Sequence, residues 1–228
     1  MTELIVLAEH RRGELRDITF EMLAKGRGLA DSEGLELAVI LFGFETEEFQ
    51  ETLRAYSDRV LVYNHKELAD FNAECYQQLL SWLIEERKPK LTLIGHTSWG
   101  IDLAPALAVT LDRPLAPDCI DLRIEGNRVF VTRQVYGGKL NVEASIRESD
   151  SYIVTVRPAT FEAGEPGSRK GEVVSLDYPS TLTVEKKRFV DYVEPPPGEV
   201  DISDAEIIVS IGRGVKDEKN LNIIQDLA

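Results

Sequence analysis

Up to about residue 115, short apolar runs alternate with longer stretches in which apolar residues return every third or fourth position. The runs Leu4–Ala8, Leu37–Phe42, Arg59–Tyr63 and Leu91–Gly95 have strand length. They are apolar enough for burial on both faces, as in a parallel sheet. Between them, Leu15, Ile18, Met22, Gly26 and Leu29 mark one helical stripe, and Leu68, Phe71, Cys75, Leu79, Trp82 and Leu83 mark another. Strands that alternate with helices of this length need crossover connections, which place helices on both faces of the sheet. The pattern predicts an α/β fold: three layers, α/β/α, around a mainly parallel sheet.

After Pro117 the period shortens to two. Val129, Val131, Arg133 and Val135 alternate with polar neighbours, and so do Leu140, Val142, Ala144 and Ile146. Gly126-Asn127, Gly137-Gly138 and Ser149-Asp150 separate the runs as turns. An antiparallel meander of about four strands follows from this, ending near Arg157-Pro158. The stretch 163–171 reads as loop, and Glu172–Tyr178 and Lys187–Glu194 as two further strands.

Pro195-Pro196-Pro197-Gly198 cannot continue a ladder and holds an extended, stiff conformation. It divides the chain into an N-terminal α/β domain over 1–194, a Pro-rich linker over 195–202 and a third segment over 203–228. That segment reads as a strand, Ala205–Ile211, then Gly212-Arg213-Gly214, then a helix from about Asp217. One strand and one helix do not bury their own apolar faces. The segment is therefore expected to be the start of a second α/β domain, in a chain cut short.

Charge narrows the functional classes. Against 26 Lys and Arg stand 40 Asp and Glu, a net charge of -14, and the basic residues are scattered. Such a surface repels phosphate backbones, so no nucleic-acid partner is expected. The densest basic run, Lys186-Lys187-Arg188, reads as a solvated face. No segment reaches the ~18 apolar residues that span a bilayer. The opening residues read as a strand rather than a signal peptide, and the two cysteines, Cys75 and Cys119, lack metal-ligand spacing. Cys75 falls on a buried helical stripe. A cytoplasmic location is expected.

Four segments, in order, carry a family resemblance. They are 6–16 (Val-Leu-Ala-Glu-His-Arg-Arg-Gly-Glu-Leu-Arg), 95–105 (Gly-His-Thr-Ser-Trp-Gly-Ile-Asp-Leu-Ala-Pro), 133–139 (Arg-Gln-Val-Tyr-Gly-Gly-Lys) and 208–214 (Ile-Val-Ser-Ile-Gly-Arg-Gly) with Lys216. Together they resemble the electron-transfer flavoprotein alpha subunit, with Ile211 standing where a glycine is common in the family. The resemblance implies a heterodimer with a beta subunit and FAD held mostly by residues beyond 228. It implies a redox carrier rather than an enzyme with its own substrate. Electrons would pass from acyl-CoA dehydrogenases or similar flavoenzymes to a quinone reductase, or in bifurcating members to ferredoxin.

Arg213 is the one cofactor-binding candidate. It lies between two glycines at the expected carboxyl end of a strand, just before a helix. Glycines let the backbone approach a ligand, and a guanidinium pairs with phosphate or an anionic flavin. The other candidates have plainer readings. His96 and Ser98 are too close in sequence for a hydrolytic pair, and no Gly-x-Ser-x-Gly elbow occurs. Asp102 reads as a helix N-cap with Pro105 in the first turn, and His10 as an exposed loop residue. Gly26-Arg27-Gly28 lies inside a helical stretch, and Arg133 and Arg157 are strand-end residues. No catalytic or metal site is expected. The alternative class is a nucleotide-binding α/β module of the ATP-pyrophosphatase or stress-protein type, which needs a small, phosphate-cradling loop after the first strand. Glu9-His10-Arg11-Arg12-Gly13 is charged and bulky instead.

Overall fold

Every side chain of the strand β1, Glu3–Leu7, is buried, and alternate residues enter different cores. Leu4 and Val6 face one core, and Ile5 and Leu7 the other. A strand this apolar is stable only between two neighbours and two helical layers. The computed structural model, which describes residues 2–193, 207–217, 220–225 and 227, supplies both.

β1 pairs in parallel with β4 (Glu36–Gly43) on one side and with β6 (Leu91–Gly95) on the other. Beyond β4 lie β5 (Arg59–Asn64) and then β11 (Glu172–Ser175). Beyond β6 lie β10 (Tyr152–Val156), β7 (Leu115–Glu125), β8 (Arg128–Val135) and β9 (Leu140–Ser145), nine strands in all. A two-stranded ribbon, β2 (His10–Arg11) with β3 (Glu14–Leu15), follows β1, its turn held by positive φ at Arg12 and Gly13. Helix α1 (Asp17–Glu33) and the short α2 (Glu47–Leu53) bury residues in the core on one face. Helices α3 (Ala73–Arg87) and α4 (Ser98–Leu111) bury theirs on the other. The expected three-layer α/β fold is present. Cys75 lies wholly within the second core, as its stripe predicts.

The meander differs from expectation. It has three antiparallel strands, β7–β8–β9, not four. The expected fourth strand, β10, instead inserts in parallel between β6 and β7. The reason lies in its sequence, Tyr-Ile-Val-Thr-Val, buried at all five positions. A one-sided edge strand would expose half of it.

Residues 187–193 form no strand. The preceding segment lies against α3 as a strap, its backbone held by side chains. Both carboxylate oxygens of Glu74 are engaged, accepting the backbone N–H groups of Glu185, Lys186 and Lys187 at 2.8–3.3 Å. Asn72 donates to the Lys187 carbonyl at 2.9 Å, and Gln78 to that of Thr183 at 2.8 Å. On the other face Glu21 does the same for the turn after β10, accepting from Ala159, Thr160 and Phe161 at 2.9–3.2 Å. A side-chain acceptor for three successive N–H groups replaces the ladder partner these segments lack.

The chain separates into two compact units, Met1–Phe189 and Val190–Ala228. The Pro195–Pro197 linker lies outside the described residues. In the second unit, 207–211 are irregular rather than the expected strand, Arg213–Val215 form one 3-10 turn, and a short helix, α5, covers Leu221–Gln225. Residues 205 and 206 of the expected strand are likewise outside the described set.

Gly100 marks the tightest packing at the sheet's edge. A Cβ there would run into the carbonyl oxygen of Gly95, with Ile94 Cγ2 at 3.1 Å. Backbone cannot give way as a flexible side chain does. Gly100→Ala is expected to cost about 2 kcal/mol or more, read as a lowered urea midpoint. Gly28→Ala, a helical position with nothing nearby, should be neutral or slightly stabilising.

Candidate functional site

In an open parallel sheet, ligands collect where two neighbouring strands send their chains to opposite sides. Here that point lies between β1, whose chain continues to β4, and β6, reached after β5 from the far side. The loops that flank it are the ones after β1 and β6, which hold Glu9 and Gly95-His96-Thr97.

The crevice is filled from within. Glu9 is 3% exposed, and its carboxylate accepts from the Thr97 hydroxyl at 2.9–3.0 Å. Thr97 also caps α4, accepting from the Trp99 N–H at 3.1 Å. Gly95 makes the room, since a Cβ there would meet Glu9 Oε1 at 2.5 Å. Thr19 fixes the Glu9 backbone in both directions, accepting from its N–H at 2.8 Å and donating to its carbonyl at 3.0 Å. Thus the glycines of the 95–105 segment serve a close approach of the chain to itself: Gly95 admits the carboxyl and Gly100 admits the Gly95 carbonyl.

Burial pushes the Glu9 carboxyl up to about 7, against the lowering effects of the Thr97 hydrogen bond and the Arg16 charge. A phosphate at this helix N-terminus would have to displace that group, and above pH 7 would meet its negative charge. The crevice does not fit a nucleotide pyrophosphate.

Two expectations are corrected here. Thr97, not Asp102, caps α4, so Pro105 falls well inside the helix rather than in its first turn. The helix starts so soon after β6 because Thr97 is already in extended geometry with its hydroxyl accepting from the free N–H of Trp99 in the first turn. Asp102 pairs with Lys187 instead. His10 is not an exposed loop residue. It is 8% exposed, its Nε2 lies 2.6 Å from the Phe42 carbonyl, and its ring packs against Phe49 and Trp99. Burial pulls its pKa below the usual histidine value. The intervening ribbon, β2–β3, turns His10 inward, and nothing in the local sequence signals that turn except Arg12-Gly13.

Next along the same edge, His96 Nδ1 contacts Thr155 Oγ1 at 2.9 Å, and Thr155 also accepts from the Asp118 N–H at 2.9 Å. Ser98 is the exposed first residue of α4. Asp118 lies in a bulge of β7 with φ 58, a left-handed conformation unusual for a non-glycine residue. Arg157 holds it with two bonds, at 2.8 and 2.7 Å, and also donates to Gln134. The Arg157 hydrogen bonds outweigh desolvation and keep the Asp118 carboxyl below the usual carboxylate range. Arg157, which the sequence leaves undistinguished, therefore ties β10, the bulge and β8 together.

Arg213, the cofactor candidate, lies in the second unit as the first residue of the 3-10 turn. It is exposed, and Gly212 and Gly214 on either side have open space where a Cβ would be.

The switch-point crevice of this mostly parallel sheet is closed by the chain's own carboxyl, so it holds no cradle for a nucleotide phosphate. A family model described as the electron transfer flavoprotein domain matches residues 4–181. The electron transfer flavoprotein subunit alpha of Bacillus subtilis (strain 168) is 36% identical over 228 residues, covering 99% of this chain and 69% of its own length. The acryloyl-CoA reductase electron transfer subunit beta of Anaerotignum propionicum is 31% identical, covering 93% of this chain and 66% of that protein. The lactate dehydrogenase (NAD(+),ferredoxin) subunit LctC of Acetobacterium woodii is 33% identical, covering 99% and 54%. The chain belongs to the electron transfer flavoprotein family, on the alpha-subunit side, and its role is electron transport. Among the described residues, no helix is long and apolar enough to cross a membrane.

The Glu9 carboxyl makes a pH prediction. Its folded pKa of about 7 lies above the ordinary value of 4.5. Between these values the folded state holds a proton that the unfolded state has lost, so stability falls as pH rises from about 4.5 to 7. Glu9→Gln removes that slope. The variant should gain roughly 3 kcal/mol relative to wild type between pH 4.5 and 8, measured as paired urea midpoints. Parallel curves would show that Glu9 titrates normally.

Proposed function

We propose that this chain pairs with a beta subunit and that the complex, holding FAD, carries electrons from flavin dehydrogenases to an electron acceptor. The observation that carries the reading is the family match over 4–181, joined to a first unit whose crevice Glu9 has closed. A domain so closed has packing, not ligand binding, as its task. Nucleotide binding at that crevice, the competing reading, is disfavoured by the same carboxyl.

In this reading 1–194 dock the beta subunit, 195–202 are a linker and 203–228 contribute the first part of a flavin-holding domain. When bound, the flavin supplies the redox chemistry. Arg213 would hold it. Its charge and the open backbone of its glycine neighbours suit a phosphate or a reduced, anionic ring. Charge near the ring raises the cofactor's affinity for electrons. The donors are acyl-CoA dehydrogenases or similar flavoenzymes, and the acceptor is a quinone reductase or ferredoxin. The names of the relatives, one an acryloyl-CoA reductase electron transfer subunit and one a subunit of a lactate dehydrogenase (NAD(+),ferredoxin), support these classes. The complex works in the cytoplasm.

The native protein, isolated with the polypeptide that accompanies it, should absorb as a flavoprotein and release FAD on denaturation. Colourless native material would end the reading. In that complex, Arg213→Ala is expected to weaken FAD by roughly tenfold and to lower its midpoint potential. If affinity and potential both stay unchanged, Arg213 has no part in holding the cofactor.

A further inference from the structure

The two edges of the sheet are finished differently. At one edge β11 is only four residues long, and Val173 and Val174 pack against the two cores. The following residues Leu176, Tyr178 and Leu182 continue that packing. At the other edge β9 has six residues, every one of them exposed. Leu140 is 54% and Val142 44% exposed, cross-strand from Val135 and Arg133 respectively. Among the described residues no strand of this sheet follows β9, so its outer row of backbone N–H and C=O groups has no ladder partner there. Natural proteins rarely leave a long apolar edge this way, because it templates another strand.

The charge around this edge points to the kind of strand. Between Arg123 and Arg147 the only carboxylates are Glu125 and Glu143, and Arg123 pairs with both. Arg128, Arg133, Lys139 and Arg147 form no ion pair among the described residues, and Arg133 Nε is buried without an acceptor. A basic rim thus surrounds an apolar edge on a chain of net charge -14. Pairing β9 with β9 of a second copy would set these cations against their own kind. The edge fits an acidic partner.

We propose that β9 is the docking edge for the different subunit of the complex, which adds a strand alongside it. Alternate apolar residues of that strand cover Leu140 and Val142, and its carboxylates meet the basic rim. This rests on the heterodimer reading above and names the surface that serves it.

Two measurements on the full chain and its beta subunit test the placement. Backbone amides of residues 140–145 should gain protection from hydrogen exchange when the beta subunit is added to wild type. Leu140→Glu combined with Val142→Glu should weaken the association by roughly 30-fold or more. Val109→Glu, at a still more exposed apolar residue of α4, should leave it within about twofold. Unprotected amides in a complex that does form overturn the docking edge while leaving the heterodimer intact, as does undiminished affinity of the double variant. Protection of 140–145 in the chain alone, rising with its concentration, overturns it in favour of a second copy. If wild type binds no beta subunit at all, both readings fall together.

Discussion

The Glu9–Thr97 contact decides what the first unit can be. Parallel strands leave a crevice wherever their connections diverge, and the helix that follows β6 presents its first N–H groups there. Those groups need an acceptor. In a nucleotide-binding sheet the acceptor is a phosphate. Here the Thr97 hydroxyl caps the helix and in turn donates to a buried carboxyl. The need is met inside the chain, at the cost of burying an acid that resists ionisation. Gly95 and Gly100, Thr19, and the inward turn of His10 follow from fitting that acid in place.

The same device recurs at a larger scale. Glu21 on one face and Glu74 on the other each gather three successive backbone N–H groups from a segment without a ladder. An acidic chain thereby spends some of its carboxylates as internal anchors. The Glu74 anchor holds the strap near the end of the first unit against α3.

The Asp118 bulge sits where β7 changes partners. Its first half runs parallel to β10 and its second half antiparallel to β8. Thr155 and Arg157 pin that change, and Arg157 is itself tied to Gln134 of β8. Beyond it the meander carries its exposed edge and basic rim away from the helical layers. The crevice is closed by the chain's own carboxyl, whereas the meander ends in an exposed strand.

The sequence by itself determined the class of fold, four of the parallel strands, the core role of Cys75 and the family, because burial on both faces and helical stripes are local patterns that survive folding. Its Gly-rich turns also placed the hairpins of the meander correctly. Only the tertiary structure decided the rest. Tyr152–Val156 reads equally as a meander strand or a central one until the vacancy between β6 and β7 takes it. Glu9 and His10 read as exposed loop charge until the β2–β3 ribbon folds them inward. Asp102 reads as the cap because proline usually sits early in a helix, yet Thr97 caps α4 and sets an earlier start. For Glu9 and His10 the deciding partner, Thr97 for the one and Phe42 for the other, lies more than thirty positions away, where no local pattern records it.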